Sequence, residues 1–219
     1  QWDTRVIKII LADDHDLVRT GIRRILEDVD DFTILAEAKN GEDAVLLCRK
    51  NAPDVVLMDV NMPGIGGLEA TKKIVRMSEN TRVICVSMHK ESPIPMQVMD
   101  AGAYGFLTKD AEPDEVIRAI HKVAAGQKYV DQEVANSIAI GKLLPSSDNP
   151  FDELSSRELT IAMRLTEGHK VPDIARELSI NSKTVNTYRY RMFQKLGVNS
   201  DVELTHLAYR HKLINPNTF

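Results

Sequence analysis

The stretch DVVLMDVNMPGIGG, residues 54–67, sets four apolar residues, Val55, Val56, Leu57 and Met58, directly before an acid, Asp59, and then a Pro/Gly-rich turn. An unbroken apolar run bounded by turn residues is the pattern of a strand covered on both faces, as in a parallel sheet. Such a strand delivers Asp59 at its carboxyl end. Runs of the same kind occupy residues 6–12, 33–37, 83–87 and 105–107, which makes 55–58 the third of five expected strands. Amphipathic helical patterns fall between and after them, at 16–28, 42–51, 67–77, 94–101 and 113–125, the last ending at Gly126. Strands alternating with helices of this length predict βαβ units and an α/β fold, a five-stranded parallel sheet with helices on both faces. In such a sheet the chemistry gathers at the carboxyl ends of the strands.

The second part of the chain has a different pattern and no convincing strand. A helical stretch at 131–144 runs into LLPSSDNPFDE, whose prolines, serines, Asp and Asn mark a linker. Helices are expected near 155–168, 172–179, 182–196 and 200–212. Their starts carry Ser155 with Glu158 in capping-box spacing, Pro172, Ser182, and Ser200 with Glu203.

Charge separates the two parts as well. Residues 1–149 hold 18 Lys/Arg against 24 Asp/Glu, and residues 150–219 hold 10 against 8, within a net charge of −4. Lys183, Arg189, Arg191 and Lys195 form a stretch without an acid, a basic stripe suited to a polyanion. With 43% apolar and 27% charged residues, the composition is that of a globular protein. No apolar stretch approaches a membrane span and no signal-peptide pattern precedes the first strand, so a cytoplasmic protein without a membrane partner is expected. Cys48 and Cys85 lie in apolar runs without CxxC spacing, which predicts buried free thiols.

At the ends of the expected strands stand Asp13 and Asp14, then Asp59, Ser87 and Lys109. Converging on one edge, three carboxylates repel one another unless a cation neutralises them, and an all-oxygen set suits Mg²⁺. An Asp after a strand is commonly a helix N-cap, and Asp14 or Asp16 can serve the helix beginning near Leu17. Capping explains neither Lys109 nor the Ser87 hydroxyl. The acids, hydroxyl and ammonium, with MDVNMPGIGG as the most specific stretch, resemble the receiver domain of two-component response regulators, a flavodoxin/CheY-like (βα)5 fold, over residues 6–126.

That resemblance implies that Asp59 is the phosphoacceptor for a histidine kinase. It implies Mg²⁺ ligation by Asp14, by Asp13 mainly through water, by Asp59, and by the backbone carbonyl of Asn61. Lys109 would pair with the phosphoryl oxygens and the Ser87 hydroxyl would move in to contact them. Phe106 would rotate inward with Ser87, or is a plain core residue. Met88 stands where the family usually has a very small residue, and Asp110 where many receivers have a proline. Asn61 and His89 occupy positions that tune the acyl-phosphate lifetime, and slow hydrolysis is expected. A phosphohydrolase using an aspartyl phosphate is the enzymatic alternative. It would need a second acid two residues after the nucleophile, where Asn61 stands.

In VPDIARELSINSKTVNTYRYRMFQKLGV, residues 171–198, Ile174, Ala175 and Leu178 are the stripe of a short helix. Val185, Met192 and Leu196 are that of a second helix, after a turn at 179–182. This is helix-turn-helix spacing, in which the second helix enters the major groove. With LSSRE and SDVEL it resembles the LuxR-type DNA-binding domain of the NarL/FixJ regulators. By that resemblance Asn186, Thr187 and Tyr190 face base edges of double-stranded promoter DNA, and Lys183, Arg191 and Lys195 hold phosphates. Arg189 packs its stem or pairs with an acid such as Glu203. The last helix, through Val202, Leu204, Leu207, Ala208 and Tyr209, would be the homodimer contact, or packs only within its own chain.

The expected division is a receiver at 6–126, a linker helix and linker at 127–152, and a LuxR-type helix-turn-helix domain at 153–215. The combined motifs look closest to the GacA/UvrY branch. There the phosphodonor is a sensor kinase of the GacS/BarA type and the targets include genes for small regulatory RNAs. Before phosphorylation the receiver is expected to rest on the tail domain and hide Asn186, Thr187 and Tyr190.

Overall fold

In the computed structural model, which describes residues 5–91, 93–143 and 149–214, the first part of the chain alternates strands and helices. In order these are β1 (Ile7–Ala12), α1 (Asp16–Glu27), β2 (Phe32–Ala38), α2 (Gly41–Asn51), β3 (Val55–Asp59), α3 (Gly66–Met77) and β4 (Arg82–Ser87). They continue with α4 (Ile94–Asp100), β5 (Gly105–Thr108), α5 (Pro113–Ala124), β6 (Tyr129–Val130) and α6 (Gln132–Leu143). The sheet is parallel throughout, in the order β2-β1-β3-β4-β5-β6. It has six strands among the described residues, not five. The sixth is the Tyr-Val pair after the Gly126 turn, paired with Gly105 and Phe106, too short to give a periodic signal.

Side chains alternate across the sheet because successive residues of a strand point to opposite faces. Ile10, Val56, Met58, Val83, Cys85 and Phe106 pack on the α2–α4 side. Ile9, Leu11, Val55, Leu57, Ile84 and Leu107 pack on the other side, with Leu26 of α1 and Ile120 of α5. With both faces covered, every residue of β3 is buried. Each such aliphatic side chain contributes about 1.5–3 kcal/mol. Gly67 fits the close passage of α3 over β3, since a Cβ there would stand 2.0 Å from the Asp59 carbonyl oxygen. Gly64, at φ +77°, makes the turn after Asn61 in a backbone region that other residues rarely adopt.

The tail is helical: one 3₁₀ turn (Pro150–Glu153), then α7 (Ser156–Thr166), α8 (Val171–Glu177), α9 (Ser182–Leu196) and α10 (Asp201–Arg210). Ser155 and Glu158 form the full capping box expected of them. At α9 the cap is Asn181, whose side chain accepts from the Thr184 N–H, and not Ser182. Gly197 closes α9 in the left-handed region at φ 66°. Ile174, Leu178, Val185, Met192 and Leu196 interlock as the core of the α8–α9 pair.

The tail rests on the receiver through α7. Arg164 of α7 donates to the Met62 carbonyl, and Lys72 of α3 pairs with the Ser156 hydroxyl. Gln97 of α4 donates to the Leu154 carbonyl at 2.9 Å. A small cleft between the two units is walled by Leu68, Ile94, Leu159 and Met163.

Candidate functional site

The parallel order brings the ends of β1, β3, β4 and β5 to one edge, and the residues expected there meet. Lys109, just past β5, places its Nζ 2.8 Å from Asp59 Oδ2 and 3.1 Å from Asp13 Oδ2. The other Asp59 oxygen accepts from the Asn61 N–H at 3.0 Å. Asp13 Oδ1 accepts from the His15 N–H at 2.8 Å, so Asp13 turns the chain at the start of α1. The residue flanking α1 is His15, which makes no side-chain cap, and neither Asp14 nor Asp16 serves as N-cap. Ser87 is fully buried, and its hydroxyl accepts from the His89 N–H at 3.1 Å. Phe106 is fully buried beside Cys85, as an inward-turned aromatic and a core residue both would be.

Electrostatics at this edge are unbalanced. Burial pushes the Asp59 carboxyl up, Lys109 draws it back, and the nearby Asp13 charge pushes it up again. Burial pulls Lys109 down, but its two carboxylate partners outweigh that and leave it raised. Asp14 Oδ1 is buried without a well-aligned hydrogen bond, although the His15 ring nitrogen lies 3.0 Å away. Oxygens of Asp13, Asp14 and Asp59 and a His15 nitrogen all fall within 4.8 Å of one another. One ammonium among three carboxylates, one of them with a buried oxygen that has no well-aligned hydrogen bond, is a donor set that fits a divalent cation.

The rim carries the positions where this sequence is unusual. Met88 is 58% exposed, and Lys90 pairs with Asp110 at 3.0 Å across the edge. The side chains of Asn61 and His89 meet at 3.4 Å.

In the tail, Asn186, Thr187 and Tyr190 lie exposed on α9. The expectation that the receiver hides them is corrected: the two units touch through α7, which leaves that surface open. Lys183 and Arg191 are exposed too, and among the described residues neither enters an ion pair. Lys195, expected on phosphate, instead sits on Glu158 at 2.7 Å and donates to the Glu153 carbonyl at 3.3 Å. Arg189 pairs with Asp201, not Glu203, through two hydrogen bonds of 2.9 and 2.7 Å, and lies over the Phe193 ring. Among the residues expected at a dimer contact, Leu204 and Ala208 are fully buried in the tail core, where α10 packs on α7. They are corrected to intramolecular packing, while Leu207 is half-buried and Val202 and Tyr209 are exposed.

Comparison with known proteins agrees with both halves of this geometry. The response regulator receiver domain family matches residues 9–121, and the family of bacterial regulatory proteins of the luxR type matches residues 152–208. Over 214 residues the chain is 52% identical to the response regulator UvrY of Escherichia coli strain K12, covering 97% of this chain and 98% of that protein. This chain belongs to the LuxR-type response regulators. It is also 48% identical over 211 residues to the response regulator GacA of Pseudomonas aeruginosa, covering 96% and 99% of the two. A solved structure of RcsB from Salmonella enterica serovar Typhimurium, bound to the promoter P1flhDC in the presence of the phosphomimetic BeF₃⁻, matches with TM-score 0.70 and 26% identity over 92% of this chain and 97% of that one.

As a response regulator of this kind, the protein is a phosphorylation-activated transcription regulator that receives its signal from a histidine kinase and binds DNA through its LuxR-type domain. Membership sets aside the phosphohydrolase alternative, since these relatives are transcription regulators. Among the described residues no helix is long and apolar enough to cross a membrane.

The residues that sequence reasoning missed are those that act on backbone or between units: Arg19, Arg164, Lys72 and Gln97. Arg19 alone left a signal, a base at an apolar position of an amphipathic helix three and seven residues before Ile22 and Leu26.

Proposed function

We propose that Asp59 accepts the phosphoryl group and that the rest of the strand-end cluster serves that transfer. The carrying observation is Lys109 bridging Asp59 and Asp13 while Asp14 Oδ1, buried at the same edge, has no well-aligned hydrogen bond. Asp13, Asp14, Asp59 and the Asn61 carbonyl would hold Mg²⁺, which when bound offsets charge on the phosphoryl oxygens. An Asp59 oxygen attacks the phosphorus of a phosphohistidine as the phosphorus–nitrogen bond breaks, and the imidazole leaves with the electron pair and takes up a proton. Lys109 follows the developing charge from Asp59 onto the phosphoryl group. The Ser87 hydroxyl, whose oxygen accepts from the His89 N–H, turns its own O–H to donate to a phosphoryl oxygen, and Phe106 moves with it. With Asn61 and His89 in contact over the site, the acyl phosphate is slow to hydrolyse.

The reading extends to the division of the chain at 6–126, 127–152 and 153–215, of which residues 144–148 and 215 lie outside the described residues. On promoter DNA a homodimer would place Asn186, Thr187 and Tyr190 against bases. Asn suits adenine and the Thr methyl suits thymine. Lys183 and Arg191 would take phosphates, with Lys195 joining them only by leaving Glu158. Val202, Leu207 and Tyr209 are the part of α10 open to a second copy. Relatedness to UvrY and GacA supports a cytoplasmic regulator with a GacS/BarA-type donor and control of small regulatory RNA genes.

The test is phosphorylation of the full chain by a small-molecule donor with and without Mg²⁺, read on a phosphate-affinity gel. A Mg²⁺-dependent band in the parent and none in Asp59→Asn is expected. An equal band in Asp59→Asn would overturn the assignment.

A further inference from the structure

Arg19 is 7% exposed on α1, at a position whose spacing with Ile22 and Leu26 belongs to the apolar face. A buried guanidinium persists where its donors are matched by acceptors. Here they are, and the acceptors come from three segments. Nη1 donates to the Asp13 carbonyl at 2.8 Å, Nε donates to Glu37 Oε2 of β2 at 2.6 Å, and Nη2 pairs with Asp16 at the start of α1.

The Asp13 backbone is thereby held on both sides. Its N–H donates to the Ala38 carbonyl at 3.1 Å and its carbonyl accepts from Arg19. That carbonyl shares a planar peptide unit with the Asp14 nitrogen. Fixing the plane therefore fixes the point from which the Asp14 side chain departs. Asp14 Oδ1 is the buried oxygen without a well-aligned partner, within 4.8 Å of the Asp13 and Asp59 ligand atoms. Lys109 reaches only the other two carboxylates, and the one side chain near Asp14 Oδ1 is the largely exposed His15 ring at 3.0 Å, so the backbone sets the point from which Asp14 is presented.

We propose that Arg19 is a positioning residue for cation binding: by clamping the Asp13 carbonyl to β2 and α1, it presents the Asp14 carboxylate to Mg²⁺. This rests on the reading of Asp13, Asp14 and Asp59 as the cation-holding acids. Partners one step removed from a metal ligand typically contribute about 10–100-fold to affinity. The planar fork matters here beyond the charge. A lysine keeps the charge but cannot span acceptors on three segments in fixed directions.

The experiment is calorimetric titration of Mg²⁺ into the full chain for the parent, Arg19→Lys, Arg19→Met and Asp14→Asn. Folding is checked by circular dichroism and by melting in chelator. Both Arg19 variants are expected to lose about 10-fold in Mg²⁺ affinity while folded at the titration temperature. Folded Arg19 variants that bind Mg²⁺ within about twofold of the parent would overturn the proposal, whatever their melting temperatures. Should Arg19→Met fail to fold, Arg19→Lys decides by the same criterion. Asp14→Asn separates the two layers: if it binds Mg²⁺ as the parent does, the cation site itself is misassigned, whereas lost binding there with intact binding in the Arg19 variants rejects only the role of Arg19.

Discussion

His89 lies on the rim of the phosphorylation site, where burial holds its imidazole down to about 4 from an ordinary value of 6.5. The sign of its pH effect follows directly. The unfolded chain takes up the proton first as pH falls, so stability present above about 6.5 is lost progressively toward 4, on the order of 3 kcal/mol in all. His89→Asn is expected to flatten the fall of the urea midpoint between pH 7 and 4.5 relative to the parent, and parallel curves would reject that assignment. Residues that act through charge at a strand end, Asp13, Asp59 and Lys109, were legible in the sequence, because helix capping accounts for single acids there but not for acids together with a lysine. Lys195 was not. A sequence displays the sign of a side chain but not the acid that claims it, and Glu158 of α7 claims this one. Arg19 was passed over for a related reason, since its partner of consequence is a carbonyl, a group every residue carries.

Elements were legible where hydrophobic period and length agreed. The five longer strands and the helices of both parts fall within a few residues of expectation, because a run covered on both faces and an amphipathic stripe are hard to confuse at those lengths. The two-residue β6 has no period to read. The choice of Asn181 over Ser182 as cap of α9 turns on a single residue of register. The placing of α10 also exceeded what its sequence showed: its apolar residues divide between the tail core, through Leu204 and Ala208, and the surface, through Val202 and Tyr209. What ties α10 to the recognition helix is the doubly hydrogen-bonded Arg189–Asp201 pair at 2.9 and 2.7 Å. Its side chains are partly exposed, so solvent screens it and its expected coupling is about 0.5–1 kcal/mol. A double-mutant cycle of Arg189→Ala and Asp201→Ala by urea denaturation measures this directly. A coupling indistinguishable from zero would mean that α9 is held by Val185, Met192 and Leu196 with the Lys195–Glu158 pair, and not by Asp201.

On the scale of the whole molecule, the receiver and the tail meet through α7, with Arg164 on the Met62 carbonyl three residues past Asp59. Polar contacts flank this one, Gln97 to the Leu154 carbonyl at 2.9 Å and Lys212 to Glu91 at 3.0 Å. The contact holds the units together without covering Asn186, Thr187 or Tyr190, which stay exposed. Two models of activation then diverge. If the receiver acted by masking the recognition helix, breaking the contact would raise the DNA affinity of the unphosphorylated protein by about tenfold or more, since unmasking returns the free energy spent on closure. If the contact fixes the relative orientation of the units, and so whether two tails can meet paired half-sites, breaking it leaves the affinity of one tail unchanged. The exposed α9 favours the second model. Arg164→Ala is expected to change the DNA affinity of the unphosphorylated protein by less than about twofold while increasing independent tumbling of the units, as read by NMR relaxation. A tenfold gain in affinity in Arg164→Ala, with the salt dependence of binding unchanged, would restore the masking model, because the number of phosphates contacted would be the same while the competing closed state had been removed.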